Sequence, residues 1–363
     1  MRWFEKLIAR PSGEGEIEES MAISIEEKMR SCASLLDSAG AVVIVGHVHA
    51  DGDVIGTMSA LSHRLEMQGK GVTSFLFEPI PSRFDFLGFQ KKVRIFQPDS
   101  DEQKSIILAA DAIVILDSSS IERVPGWESL VAQKREVCVR IDHHPSSTPI
   151  DVGLDITDEK ASATGQLIYG LLDSYARPLT REEALGLFVA LATDTGWFRY
   201  SNTTPDALQQ AAELLKSGIS PGVIYRNIYQ SNELGLIRLM GSVISNMHAE
   251  LDGRLLWGMI TSDQVREAEL ERDFEIDVLL DLLRSTRDVR CVAVFRVLED
   301  GITRVNLRSK GEIAVNGVAE RFGGGGHRNA AGVTINGGDP QRLSNEIVDA
   351  LRAVVAGSEA GDG

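Results

Sequence analysis

What most constrains the fold of this sequence is a design used three times: a short, apolar, β-branched run that stops abruptly at an acid or a histidine. Ala41-Val-Val-Ile-Val45 leads through Gly46 into His47, Ala112-Ile-Val-Ile-Leu116 into Asp117-Ser-Ser-Ser, and Glu136-Val-Cys-Val-Arg-Ile141 into Asp142-His-His-Pro. Runs of this kind suit strands buried on both faces of a parallel sheet, because a strand with one wet face alternates polar and apolar residues instead. Helical patterns at Gly56–Gln68 and Gln103–Ala109 lie between them, so βαβ units are the economical reading. The expected fold class is α/β, a parallel-sheet N-terminal domain followed by a smaller α/β C-terminal domain. In such sheets ligands gather outside the carboxyl ends of the strands, which is where the polar residues stand.

Further along, a helical stretch from Arg181 to Leu191 delivers Ala192-Thr-Asp-Thr-Gly196, and another helix runs from Pro205 to Leu215. Strand patterns then appear at Arg254–Thr261, Val289–Leu298 and Thr303–Leu307, with helical patterns at Ser262–Leu270, Asp277–Ser285 and Leu343–Val355. The expected division is a tail over 1–22, a catalytic domain over 23–215, a helical connector over 216–245, a substrate-binding domain over 246–356 and a tail over 357–363. Both tails are small, polar or acidic and are expected to be disordered.

Charge and cysteines narrow the function. A formal net charge of −16 argues against a general binder of long nucleic acid, which needs a basic footprint, but leaves small anionic substrates open where local cations or metals meet them. The three cysteines, Cys32, Cys138 and Cys291, are far apart and outside any CxxC, so neither a disulfide framework nor a thiolate zinc site is expected. No run of about eighteen apolar residues occurs and the N-terminus lacks the apolar core of a signal peptide, which predicts a soluble, cytoplasmic protein with no membrane partner.

Five of the seven histidines fall in three polar segments: His47 and His49, His143 and His144, and His327. The segment His47-Val-His-Ala-Asp-Gly-Asp53 offers an imidazole and two carboxylates from one strand end, with Gly52 allowing a tight path between the acids. Asp51 and Asp53 diverge at that spacing and suit two different ions, although Asp53 would also serve as cap of the following helix. Asp117, Asp142-His143-His144 and Asp194 bring three more acidic segments. Mixed oxygen and nitrogen donors favour manganese, iron, cobalt or magnesium over structural zinc, and a binuclear site of this kind suits phosphate-ester hydrolysis. The glycine run Gly323–Gly326, with His327 after it and Arg308 and Ser309 ending a nearby strand, reads as an irregular phosphate or terminal-nucleotide pocket. Two other readings stand beside this one. One is a triad using Ser118, Ser119 or Ser120 with His143, though no GxSxG elbow occurs; the other is a non-catalytic nucleotide sensor.

The ordered motifs His47-x3-Asp51-Gly-Asp53-x2-Gly56, Asp117-Ser-Ser, Asp142-His-His and Thr193-Asp194-Thr-Gly196 resemble those of the DHH phosphoesterase family. Gly323–Gly332 is similar to the glycine-histidine motif of the DHH-associated substrate-binding domain. The resemblance implies that His47, Asp51 and Asp117 hold one divalent ion and that Asp53, Asp117, His143 and Asp194 hold the other, manganese first and cobalt or magnesium after it. It gives Asp142 the task of fixing an imidazole, His144 that of facing the substrate phosphate, and Arg308, Ser309, Gly324, Gly325, Gly326 and His327 the binding of substrate. Ala50 and Thr57 depart from the commoner proline and serine, and His49 has no assigned role. Within the family the chain resembles the nanoRNase group. That implies short RNA or DNA oligonucleotides or 3′-phosphoadenosine 5′-phosphate as substrates, cyclic-di-AMP or pApA hydrolysis as the alternative, and a homodimer.

Overall fold

The structure is a computed structural model that describes residues 24–145, 150–175, 177–271, 274 and 276–357. The tails at 1–22 and beyond 357 lie outside the described residues. The chain divides into two compact units, the first ending at Ser231 and the second beginning at Asn232, inside the stretch read from the sequence as a connector.

The first unit runs α1 (Ile25–Ser38), β1 (Ala41–Val45), α2 (Gly52–Met67), β2 (Gly71–Leu76), β3 (Val93–Ile95), α3 (Asp101–Ala109), β4 (Ala112–Leu116), α4 (Glu128–Gln133), β5 (Cys138–Asp142), β6 (Leu154–Thr157), α5 (Thr164–Asp173), α6 (Arg181–Asp194), α7 (Pro205–Leu215) and α8 (Pro221–Tyr229). Its six strands lie in the order β3-β2-β1-β4-β5-β6, every neighbouring pair parallel. Alternate residues of β1 and β4 enter two cores. Val42, Ile44, Val114 and Leu116 pack with α1, α2, α5 and α6, while Val43, Val45, Ile113 and Ile115 pack with α3 and α4. Burial of both faces is why these strands carry no polar alternation. The strand order reverses between β1 and β4, which opens a crevice at their carboxyl ends. Strands β2, β3 and β6 were not legible beforehand, being mixed in polarity, three residues long, and Leu154-Asp-Ile-Thr157 respectively.

The glycine pair Gly56 and Gly186 sets how α2 meets α6. A Cβ on Gly56 would lie 2.3 Å from the Gly186 carbonyl oxygen, and one on Gly186 2.5 Å from the Gly56 oxygen. The two backbones therefore touch, bringing the start of α2 beside the end of α6.

The second unit contains α9 (Leu234–Ser245), β7 (His248–Glu250), β8 (Leu255–Ile260), α10 (Ser262–Glu267), α11 (Asp277–Arg284), β9 (Cys291–Val297), β10 (Ile302–Ser309), α12 (Asn316–Arg321), β11 (Gly325–His327), β12 (Ala330–Asn336) and α13 (Pro340–Gly357). Its mixed sheet has the order β11-β12-β10-β9-β8-β7, with only β8 and β9 parallel. One face packs on α12 and α13 and the other on α9 and α11. The glycine run corrects the expectation of an irregular loop. Gly325, Gly326 and His327 form a strand paired with Gly332, Ala331 and Ala330. Glycine is needed there because a Cβ on Gly324 would meet the Gly332 oxygen at 2.1 Å and Gly326 has φ 141°.

Candidate metal centre

The ends of β1, β4 and β5 deliver His47, Asp117 and Asp142-His143-His144 into the crevice, α2 begins there with Asp51 and Asp53, and α6 ends there with Asp194. The helix cap differs from the sequence reading: Asp51, not Asp53, caps α2, its Oδ1 accepting from the Asp53 and Val54 amides at 3.0 and 3.2 Å. Asp53 is instead bound at the N-terminus of α5, where its carboxylate accepts from Thr164 N (2.7 Å), Gly165 N (2.9 Å) and the Thr57 hydroxyl (3.0 Å). A helix N-terminus is a natural seat for an anion.

Among the described residues, three groups of side chains have ligand atoms within 4.8 Å of one another: His47, Asp51 and Asp117; Asp53, His143 and Asp194; and Asp117, His143 and His144. Asp117 belongs to two of them. Its Oδ2 lies 3.2 Å from His47 Nε2 and its Oδ1 3.6 Å from His143 Nε2, and its φ of 54° turns the chain sharply out of β4. His143 Nε2 is also 3.9 Å from Asp53 Oδ2 and 3.5 Å from Asp194 Oδ2.

The tautomers decide what these contacts mean. His47 Nδ1 lies 2.6 Å from the Val48 carbonyl and His143 Nδ1 3.2 Å from the Ala161 carbonyl. A carbonyl only accepts, so each Nδ1 carries a proton; in the neutral ring each Nε2 then turns a lone pair toward carboxylates, and a second proton taken up on His47 Nε2 is donated to Asp117 Oδ2. His143 Nε2 is buried with no hydrogen-bond partner. A lone pair facing three carboxylate oxygens is a repulsive arrangement that a cation resolves. Ligands bound at about 2.1 Å stand roughly 3–4 Å from each other, which is the spacing found here. The donor set therefore fits divalent ions, with no geometry beyond these distances implied.

Electrostatics point the same way for Asp53, Asp194 and His143. Burial, then the charges of Asp117, Asp194 and Asp51, push Asp53 well above the usual carboxylate range. Burial, with Asp51 and Asp117, raises Asp194 to about 7. Burial works to raise Asp117 as well, but hydrogen bonds from His144 and His47 outweigh it and hold that carboxyl well below its usual range. Burial lowers His143, helped by the charge of His144. His47 and His144 go the other way: burial would lower both, and their hydrogen bonds to Asp117, and for His144 to Asp142, prevail, raising His47 and taking His144 to about 11.

Behind the centre, Asp142 Oδ1 accepts from His144 N (3.1 Å) and Nδ1 (2.9 Å). Several residues that hold the side chains of the centre were missed by sequence reasoning: Thr57, Thr164, Gly165, and Asn202, whose amide donates to Asp194 Oδ2 at 3.3 Å, with Arg140 behind them on Asp142. Only Thr57, at i+4 from Asp53 on a helix, had a spacing that could have revealed it. His49 stands 87% exposed and pairs with Glu78 at 3.0 Å. Ser118 is buried and donates to the Leu116 carbonyl, which removes it as a nucleophile.

The remaining predicted residues lie in the second unit. Arg308 and His327 both pair in register with Ala330, from opposite sides of β12. The Arg308 guanidinium donates to Asp277 at 2.6 Å. Ser309, expected to bind substrate, is buried; its hydroxyl donates to the Ile313 carbonyl and accepts from Asn329, so it holds the turn.

Comparison with known proteins places this geometry in a family. The DHH family N-terminal domain matches residues 41–193 and the DHHA1 domain residues 270–357. The chain is 32% identical, over 90% of its length and 94% of the other, to a Thermus thermophilus protein named bifunctional oligoribonuclease and PAP phosphatase NrnA. A Bacillus subtilis protein of the same name is 26% identical over 81% of this chain and 89% of its own. Among solved structures, an exopolyphosphatase-related protein from Bacteroides fragilis superposes with a TM-score of 0.83 at 25% identity, covering 93% of this chain and 99% of that one. Both halves of the sequence and its closely spaced acids and imidazoles thus carry one signature, and the chain belongs to the DHH family of phosphoesterases, in the form that pairs a DHH domain with a DHHA1 domain.

Proposed function

We propose that the chain hydrolyses very short oligonucleotides to mononucleotides, and also removes the 3′-phosphate of 3′-phosphoadenosine 5′-phosphate, at a binuclear centre. The observation that carries the reading is His143 Nε2, buried, unpartnered and facing Asp53, Asp117 and Asp194. DHH phosphoesterases depend on metal. His47, Asp51 and Asp117 would hold one ion and Asp53, Asp117, His143 and Asp194 the other. Oxygen-rich ligation with two imidazoles supports manganese first, with cobalt and magnesium as substitutes. When bound, such ions supply Lewis acidity and a water of lowered pKa for in-line attack on phosphorus.

The protein's own residues do the positioning. His47 and His143 are fixed by their carbonyl bonds, and Asp53 by the α5 N-terminus. His144, its Nδ1 held by Asp142, is suited to hydrogen-bond a phosphate oxygen through Nε2. Arg308, His327 and the backbone of Gly324, Gly325 and Gly326 are assigned to binding the remainder of the substrate; the pairing of Arg308 with Asp277 would be exchanged for a phosphate. The net charge of −16 supports a short substrate over a long one. Among the described residues no helix is long and apolar enough to cross a membrane. Three buried free thiols support a reducing compartment such as the cytoplasm.

The test is mononucleotide release by manganese-loaded protein from a dinucleotide, a pentanucleotide, a long RNA, 3′-phosphoadenosine 5′-phosphate and cyclic-di-AMP. Preference for the shortest RNAs is expected, with His143→Ala reduced to background in a folded protein. Preference for cyclic-di-AMP would move the function to second-messenger turnover, and near-normal turnover by the variant would remove the binuclear reading.

A further inference from the structure

Arg140 is 1% exposed on β5, two residues before Asp142, and uses all five of its donors. Nε donates to Asp155 Oδ1 (3.0 Å); Nη2 donates to Asp155 Oδ2 (2.9 Å) and to the Thr157 hydroxyl (2.8 Å). Nη1 donates to Asp142 Oδ2 (3.2 Å) and to the Ser118 carbonyl (3.3 Å). A buried guanidinium is tolerated only when paired this completely, and a full fork leaves it one orientation. The partners lie on three neighbouring segments: β6 through Asp155 and Thr157, β5 through Asp142, and the β4 exit through Ser118, next to Asp117 with its left-handed backbone.

We propose that Arg140 is a positioning residue for phosphoester hydrolysis, acting as a clamp anchored on β6 that fixes the Asp142 carboxylate, through it the ring of His144, and through Ser118 the turn that presents Asp117. The orientation follows from the bonds. With Oδ2 held by Arg140, Asp142 turns Oδ1 to His144 Nδ1, and the ring must then direct Nε2 to the opposite side, the atom assigned above to substrate phosphate. Nothing in Arg140 touches the reacting atoms. Its effect is transmitted along Asp155, Arg140, Asp142 and His144 in series, so the chain of bonds predicts coupling between Arg140 and Asp142. This inference rests on the phosphoesterase reading and deepens it.

The experiment uses the full chain and three variants, Arg140→Gln, Arg140→Lys and Arg140→Gln/Asp142→Asn, beside Asp142→Asn. Metal content and the circular dichroism spectrum are measured first, then kcat and KM on a dinucleotide and on bis-p-nitrophenyl phosphate. Loss of an outer-shell partner of this type typically removes about 10- to 100-fold, and that loss is expected in kcat for Arg140→Gln with KM changed far less. Arg140→Lys, with charge but at most three donors, should fall between. Because the Asp142 branch is shared and the Ser118 branch is not, the double variant should lose less than the product of the two single losses; losses that multiply in full would overturn the clamp. Nitrogen-15 spectra of labelled histidine give a readout that needs no turnover. His144 should carry its Nδ1 proton in a single orientation in the parent protein and lose that uniformity in Arg140→Gln, and an unchanged spectrum would also overturn the proposal. If Arg140→Gln does not fold, Thr157→Val and Asp155→Asn loosen the clamp from β6 and should reproduce the smaller kcat loss and the spectral change, their absence counting against it. Failure of the parent to cleave the dinucleotide while it cleaves bis-p-nitrophenyl phosphate would refute the substrate assignment and leave the Arg140 test intact.

Discussion

At the residue scale, the centre is a place where like charges are held together by the fold. Asp53 and Asp194 are raised by burial and by neighbouring carboxylates, Asp194 from 3.8 to about 7. A carboxyl raised in the folded state favours folding fully below its unfolded value, and that contribution is lost as pH climbs through the folded value. For Asp194 the protein without metal should therefore weaken as pH rises from about 4 to about 7, Asp53 acts in the same direction, and a divalent cation should replace the missing protons above that. Thermal melts of chelator-stripped, desalted protein against the manganese-loaded form are expected to show a large metal-dependent gain at pH 8 and a small one at pH 5. Equal gains at both would contradict the assignment. Asp53, Asp117, His143 and Asp194 were legible as ligands-in-waiting because acids and imidazoles cluster after apolar runs. Thr164 and Gly165 were not, because they act through a helix terminus that only the fold places against Asp53.

At the element scale, the contact between α2 and α6 determines whether Asp51 and Asp53 stand near Asp194. Gly186→Ala would drive a methyl group against the Gly56 oxygen, at 2.5 Å, where the obstacle is backbone. Overpacking of this kind costs about 3 kcal/mol, read by urea denaturation of the metal-free protein, and a weaker affinity for manganese should accompany it. Gly241→Ala is the control: it sits within α9 with nothing near its would-be Cβ, so replacing it should stabilise by about 0.5–1 kcal/mol. A Gly186→Ala variant as stable as the parent would mean that the helices separate freely. The two helices themselves were readable from periodicity, though not from their caps. Ser24 with Glu27 and Thr180 with Glu183 each form a capping box, and Glu183 additionally pairs with the buried Arg64 at 2.6 Å. The Gly56–Gly186 crossing was not readable, since a glycine in a helical pattern announces a close approach without saying to what.

At the scale of the whole molecule, burial also governs the thiols. Cys32, Cys138 and Cys291 are free and buried, each pushed up to about 12 by burial. At pH 8 the native protein should react with none of them on the timescale in which urea-unfolded chains titrate three thiols with Ellman's reagent; rapid labelling of the native chain would show that a core opens. The α/β class, the three strands β1, β4 and β5 and the polar residues at their ends are encoded locally, because apolar runs and their interruptions are local and burial on both faces leaves no alternation to confuse them. The sequence by itself also carried the order of the motifs that mark the DHH family. Tertiary structure alone decided that Asp51 caps α2 while Asp53 is held at the start of α5, that the glycine run is paired as β11, that Ser309 is buried, and that Arg140 joins three strands behind the side chains proposed to hold metal. Each of these depends on which segments lie side by side. Sheet order and helix crossing set that, through contacts between residues far apart in the chain, and no local pattern encodes them.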